Sequence, residues 1–372
     1  MVIDFIPVSQ YTYLFDIVVL CLMLIAFWQC ASGNILKQNV AEFNAGWGFV
    51  LAILLIFYMG LRPVSSVFGD TINYAIGFEE LANKPMRWQW EGEWLFYNLH
   101  HWFARVSNIH TFFLLCATLY VLPLWIACHR IFGNYSYVPF LIILGMFSFW
   151  NYGVNGIRNG IGASFIILAM TYVENIPIMA FLCFLATGFH SSVFLMIGAG
   201  LLAWFIKNSY YYLAAWVVCI IISYVAGNTI QAYLAGLGLG GEDERFTTYL
   251  TIDAEEFARY ELTVLQIGFR WDFLAYSSMA VGVGWYFIFK RKFQDEYYHW
   301  IYNTFLITNA FWILVIRAAF SNRFAQISWF IMPIVLIYPF MKKRFWLNHE
   351  KMLGYAILVF YAYAFYSNIL RG

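Results

Sequence analysis

Charge is the scarcest property of this 372-residue chain: Asp, Glu, Lys and Arg together make up 11%, where a water-soluble domain carries about 25%. That shortage excludes a globular protein whose whole surface faces water. Cysteine is also sparse. The six thiols (Cys21, Cys30, Cys116, Cys128, Cys183, Cys219) lie inside apolar runs without CxxC spacing, which speaks against a disulfide framework or a thiolate metal site. The formal net charge is +1 and there is no basic stripe, so nucleic acid is excluded as a partner. The first ten residues contain no positive charge, and the first apolar run is therefore expected to be retained rather than cleaved as a signal peptide. The alternating in/out polarity of a membrane β-barrel is missing, as are the internal repeats of many secondary transporters.

What the chain has instead is apolarity: 63% hydrophobic residues, 22% of all residues aromatic. Runs at 12–31, 45–60, 111–128, 137–154, 161–173, 176–189, 192–206, 210–226, 273–289, 300–316, 327–340 and 352–366 predict an all-α polytopic membrane protein, a single integral membrane domain with about twelve transmembrane helices. Lysine and arginine near span ends are retained on the cytoplasmic side. Threading the spans with the N-terminus outside places seven of the eight lysines inside, with only Lys84 outside, whereas ten of the thirteen arginines fall outside. Lysine sets the topology. Arginine, a planar fork that binds phosphate or carboxylate oxygens in pairs, is the residue an extracytoplasmic anion site would use. The runs at 161–173, 176–189, 192–206 and 327–340 are short for a hydrocarbon core about 30 Å thick. The expected result is an outward-facing cavity with Arg158, His190 and Arg323 recessed below the surface.

Three outer segments carry candidate chemistry. The first, 61–109, holds Arg62, Gly69-Asp70-Thr71-Ile72-Asn73-Tyr74 and Glu93. It ends in a stretch, 94–106, whose Leu95, Leu99, Trp102, Phe103 and Val106 predict an interfacial amphipathic helix. His100, His101 and Arg105 on that helix are expected at the surface. The second is the glycine-rich junction Asn155-Gly-Ile-Arg158-Asn159-Gly160-Ile-Gly162. The third is Gly188-Phe189-His190-Ser191-Ser192, where one histidine sits between two apolar runs.

These segments, in this order, resemble the EpsG-like branch of the Wzy-type polysaccharide polymerases. The matching pieces are Arg62 followed by Gly69-Asp70-Thr71-x-x-Tyr74, an acidic residue before an aromatic stretch (Glu93 to Asn98), Asn155-x-x-Arg158, Phe189-His190-x-Ser192, and a late arginine at Asn322-Arg323. Asn159 and Gly162 depart from the pattern, which usually has glutamine and alanine there. The resemblance implies a GT-C-like glycosyltransferase in the bacterial cytoplasmic membrane that polymerises lipid-linked repeat units of O-antigen, capsule or exopolysaccharide on the extracytoplasmic face. The implied substrate is a polyprenyl (undecaprenyl) diphosphate-linked oligosaccharide. A flippase and a chain-length regulator are the implied protein partners.

The residues fit such a reaction. A transferase facing outward needs a donor already activated on a lipid, and its diphosphate leaving group requires positive charge. Arg158, Arg317, Arg323 and Arg62 are the candidates for that role. Arg317 and Arg323 are six residues apart, so both reach one site only if the helix breaks near Ser321-Asn322. His190, Asp70 and Glu93 are the candidate bases for the attacking hydroxyl. Asn155, Tyr74, Tyr249 and Tyr260 are the candidate glycan contacts. The largest outer loop, 227–268, would form a lid over the glycan. No outer acidic cluster has metal spacing, so the reaction is expected to need neither metal nor cofactor. An O-antigen ligase, a polysaccharide flippase or other transporter, and a membrane O-acyltransferase remain as alternatives.

Overall fold

In the computed structural model, which describes residues 2–236, 268–318 and 321–370, every apolar run named above is helical and no strand occurs among the described residues. Among the described residues, five helices are long and apolar enough to cross a membrane: Val8–Ala31, Gln38–Gly60, Ile109–Tyr135, Ser209–Leu234 and Asn322–Lys342. Ile157–Met170, Ile176–Phe189 and Val193–Phe205 are apolar but shorter. The chain is thus an all-helical, multi-pass membrane protein. The run 137–154, expected as one span, is two short helices separated at Gly145–Ser148.

The chain divides into two compact units, Met1–Phe194 with Ile337–Gly372, and Leu195–Leu336. The first unit contains α1 (Tyr11–Ala31), α2 (Gln38–Gly60), α3 (Thr71–Ala82), α4 (Trp94–Val106), α5 (Ile109–Phe132), α6 (Tyr137–Leu144), α7 (Phe149–Val154), α8 (Ile157–Met170) and α9 (Ile176–Phe189). Capping is local and readable: Asn108 opens α5 by accepting from Thr111 N at 3.1 Å, and Asn175 opens α9 by accepting from Ile178 N at 3.3 Å. Small residues set the helix spacing. A Cβ on Gly48 would stand 2.6 Å from the Trp125 ring, and one on Gly160 would stand 2.7 Å from Tyr152 O, so α2 approaches α5, and α8 approaches α7, only because these positions lack a side chain.

After α10 (Val193–Phe205), the second unit holds α11 (Ser209–Gly236), α12 (Trp271–Trp285), α13 (Glu296–Leu314) and α14 (Asn322–Trp329). A buried polar ladder ties these helices: Trp216 Nε1 donates to Asn309 Oδ1 at 2.8 Å, Asn309 Nδ2 to Ser328 Oγ at 3.0 Å, and Trp329 Nε1 to Ser277 Oγ at 2.8 Å. Between apolar helices such bonds satisfy groups that lipid could not. The chain continues through α15 (Met332–Lys342) to α16 (His349–Phe365), which packs on α1.

Helix α4 has the bounds its amphipathic pattern predicts, but its faces are reversed. Trp102 and Val106 are exposed, while Phe96, Asn98, His100, His101 and Ala104 are buried. Surface positions for His100 and His101 are therefore incorrect: Trp102 and Val106 stay exposed, and the histidines meet carbonyls inside the protein. His100 Nε2–H donates to Tyr74 O at 3.1 Å and His101 Nε2 lies 3.2 Å from Lys84 O. Phe112 of α5 stacks near Phe78, Phe96 and His100, with ring centroids 6.1, 5.6 and 4.7 Å away, so one small aromatic core holds α3 and α4 onto α5.

Burial pushes the His100 imidazole down to about 4 from 6.5. Between those values the unfolded chain binds a proton that the folded chain does not, so stability falls as pH drops from 6.5 toward 4. The shift is worth at most about 3 kcal/mol. Thermal unfolding in detergent is expected to show this acid loss, and His100→Gln, which carries no titrating group, is expected to flatten it.

Candidate functional site

Two glycines and one asparagine bring the three candidate segments together. Gly69 has φ 61°, and a Cβ there would collide with the Asn155 amide. Across that gap Asn155 Oδ1 accepts from Asp70 N at 2.9 Å, and its Nδ2 donates to Asn151 Oδ1 at 3.0 Å. Asn155 thus fixes the start of α3 against the α7–α8 junction. At the other end, a Cβ on Gly188 would stand 2.7 Å from Leu95 Cβ and 2.8 Å from the Trp94 ring. The bare backbone of α9 lets the N-terminus of α4 close over it.

The consequence is a three-membered charged cluster. The Glu93 carboxylate, just ahead of α4, receives Arg158 Nη1 on Oε2. His190 Nε2 stands 3.4 Å from Oε1. The three side chains are 27%, 21% and 22% exposed for Arg158, Glu93 and His190, dry enough to strengthen the interaction and open enough to meet a ligand. Tyr74 flanks the same guanidinium. Burial raises the Tyr74 phenol above its usual range, so it remains protonated. The Arg158 guanidinium also lies 6.0 and 5.9 Å from the Tyr74 and Phe96 ring centres.

The tautomer of His190 follows from its neighbours. Ser192 N donates to His190 Nδ1 at 3.0 Å, so Nδ1 is an acceptor and the neutral ring carries its proton on Nε2, facing Glu93. Ser192 Oγ in turn donates to Asn159 Oδ1 at 3.2 Å, linking the histidine turn to α8. Gly162 leaves room for the same turn, since a Cβ there would lie 3.0 Å from Val193 Cγ1 and 3.7 Å from His190 Cβ.

Among the other residues named from sequence, Arg62 lies outside this cluster. It is 1% exposed. Nη1 binds Met59 O at 2.5 Å, and Nη2 binds Val154 O and Thr71 Oγ1, both at 3.1 Å. Those carbonyls end α2 and α7, so a cation sits where two helix dipoles are negative, with the Phe113 ring centre 4.5 Å away. Asp70 is half-buried, its Oδ1 accepting from Asn73 Nδ2 at 3.2 Å. Arg317 and Arg323 belong to the second unit. The break expected between them is present, because α13 ends at Leu314 and α14 begins at Asn322. Arg317 Nη2 donates to Tyr224 O at 3.3 Å, and its Nε, beside Gly227, is buried without a partner. Tyr249, Tyr260 and most of the 227–268 loop lie outside the described residues.

Asn98 is a supporting residue that the sequence did not single out. It is 2% exposed and spans the chain on both sides: Nδ2 donates to Gln89 O and Trp94 O, each at 2.7 Å, and Oδ1 accepts from Gln89 N at 3.1 Å. It holds the approach to Glu93. Its only sequence signal is an amide on an otherwise apolar helical stretch.

A membrane protein, helical throughout its described residues, with an arginine, a carboxylate and a histidine gathered by three separate segments is the class these observations define. The EpsG family model matches residues 47–371, and the chain belongs to the EpsG family. No curated protein and no solved structure matches it.

Proposed function

We propose that this chain polymerises lipid-linked oligosaccharide repeat units. The growing glycan on one polyprenyl diphosphate is transferred to a sugar hydroxyl of a second polyprenyl-diphosphate-linked unit. The observation that carries this reading is the Arg158–Glu93–His190 cluster, which puts a forked cation beside a carboxylate in a half-exposed setting. Membership of the EpsG family supports a polymerase-type role in polysaccharide biosynthesis.

As the acceptor oxygen forms its bond to the anomeric carbon, the bond from that carbon to the diphosphate oxygen breaks and leaves charge on the phosphate. Arg158 offsets that charge with the donors not given to Glu93. The acceptor proton passes to Glu93. His190 is better placed to orient that carboxylate than to act as the base, because its Nδ1 already accepts from Ser192 N and its Nε2 proton faces Glu93. Asp70 is the alternative base. Arg317 and Arg323 are further candidates for phosphate oxygens. The proposal includes a GT-C-like bundle of about twelve helices in the bacterial cytoplasmic membrane, with its cavity facing outward, and a flippase and a chain-length regulator as partners.

Purified protein given a polyprenyl-diphosphate repeat unit is expected to produce a ladder of products. One transfer to a lipid A core acceptor would mean a ligase, and no glycosidic product would sink both readings. The reaction is proposed to be metal-independent, so the ladder is expected to survive EDTA. Loss restored by magnesium or manganese would overturn that part alone.

A further inference from the structure

Between α3 and α4 the chain runs from Asn83 to Glu93 without regular structure, and every residue from Ala82 to Gly92 is exposed. Such a segment would ordinarily move freely, yet this one is held at three points. Lys84 O accepts from Arg105 Nη1 at 2.9 Å and lies 3.2 Å from His101 Nε2. Asn98 holds both backbone groups of Gln89, and Arg158 holds Glu93. The fixed segment displays tryptophans. Trp88 and Trp90 are 53% and 69% exposed, an unusual state for so large an aromatic surface. Two residues apart, they lie side by side, with ring centroids 5.5 Å from each other. Trp90 is 5.3 Å from Trp94, and Trp94 is 5.4 Å from Phe184 of α9. Gly92, at φ 58°, turns the chain from this row of rings into Glu93 and α4.

We infer that Trp88 and Trp90 form a saccharide platform that binds the glycan chain beside the Glu93–Arg158–His190 cluster, a refinement that rests on the polymerase reading. Pyranose rings present flat C–H faces that stack on indoles, and their hydroxyls need polar partners at the rim. Both are here. Arg87, Gln89 and Glu91 alternate with the two indoles, and an exposed aromatic patch with a polar rim marks a binding surface. Lipid is the poorer occupant, because a segment carrying Lys84, Arg87 and Glu91 among its tryptophans has no continuous apolar face to insert. The row leads directly into Glu93, which is where a chain held on the platform must end if its terminal sugar is to react.

The test uses two probes on protein in nanodiscs: delipidated repeat-unit oligosaccharide for binding, and the lipid-linked unit for polymerisation. The pair Trp88→Ala/Trp90→Ala is expected to weaken oligosaccharide binding about tenfold, to raise KM for the lipid-linked unit, and to shorten the ladder. Trp88→Tyr/Trp90→Tyr is expected to restore binding and ladder, whereas Trp88→Leu/Trp90→Leu, apolar without a ring face, is not. Leucine rescuing as well as tyrosine would reveal a lipid or packing contact and overturn the platform. So would an alanine pair that binds and polymerises like wild type. Wild-type protein that binds the oligosaccharide through these rings but makes no ladder would sink the polymerase reading while leaving the platform standing.

Discussion

Glu93→Gln is expected to lower polymerisation by about 10²–10⁴, the range for loss of a general base, while the protein still inserts and folds. The amide keeps the shape of the carboxylate, and its oxygen can still accept from Arg158 Nη1. What it loses is the capacity to take a proton and the negative charge that Arg158 and His190 share. A purely structural tie between α4, α8 and α9 makes a different forecast: lower thermal stability in detergent, with activity per folded molecule near normal. His190→Ala discriminates further. If the histidine orients the carboxylate, its loss is milder than that of Glu93 and the acid limb of the pH–rate profile persists. If His190→Ala abolishes the ladder while Glu93→Gln only dents it, the proton goes to the imidazole and the proposed roles are exchanged. Asp70→Asn is the control: strong loss there, with Glu93→Gln near normal, would move the base to Asp70.

How much of this was legible in the sequence depends on whether the deciding interaction is local. The bounds of α4 and α9 were readable because an amphipathic period over thirteen residues, or an Asn175-Ile-Pro177 cap, is written in adjacent positions. The break inside 137–154 was not, since Gly145 and Ser148 interrupt a stretch that is apolar on either side and a hydropathy window averages over them. The order of motifs put Glu93, Arg158 and His190 among the candidates together with Arg62, Asp70, Tyr74, Asn155 and Arg323. It could not say that Arg62 and Tyr74 would lie behind the first three, because whether a buried polar side chain meets a ligand or a carbonyl is settled by the packing of distant helices. The reversed faces of α4 have the same origin. In water Trp102 and Val106 would turn inward; here they are exposed, and the polar face with Asn98, His100 and His101 finds its partners in the protein.

Arg158 and Arg62 are expected to fail in opposite ways. Arg158→Lys retains a cation opposite Glu93, so the carboxylate is not left bare and folding is expected to survive. An ammonium cannot, however, bind Glu93 and at the same time present a planar fork to phosphate oxygens, so the ladder is expected to collapse to the single unit nearly as completely as in Arg158→Ala. Arg158→Ala is the poorer probe, since it also strands a half-buried carboxylate. Arg62→Ala, by contrast, removes the donors to Met59 O and Val154 O at two helix ends; Val154 O keeps the Thr71 hydroxyl, and Met59 O left bare costs about 1–3 kcal/mol. Its signature is lost folded yield and lower thermal stability, with the ladder per folded molecule preserved. Measuring ladder length and folded protein on the same samples separates the two. A well-folded Arg62→Ala variant that makes no ladder would return Arg62 to the list of phosphate ligands, and a well-folded Arg158→Lys variant with a normal ladder would remove Arg158 from it.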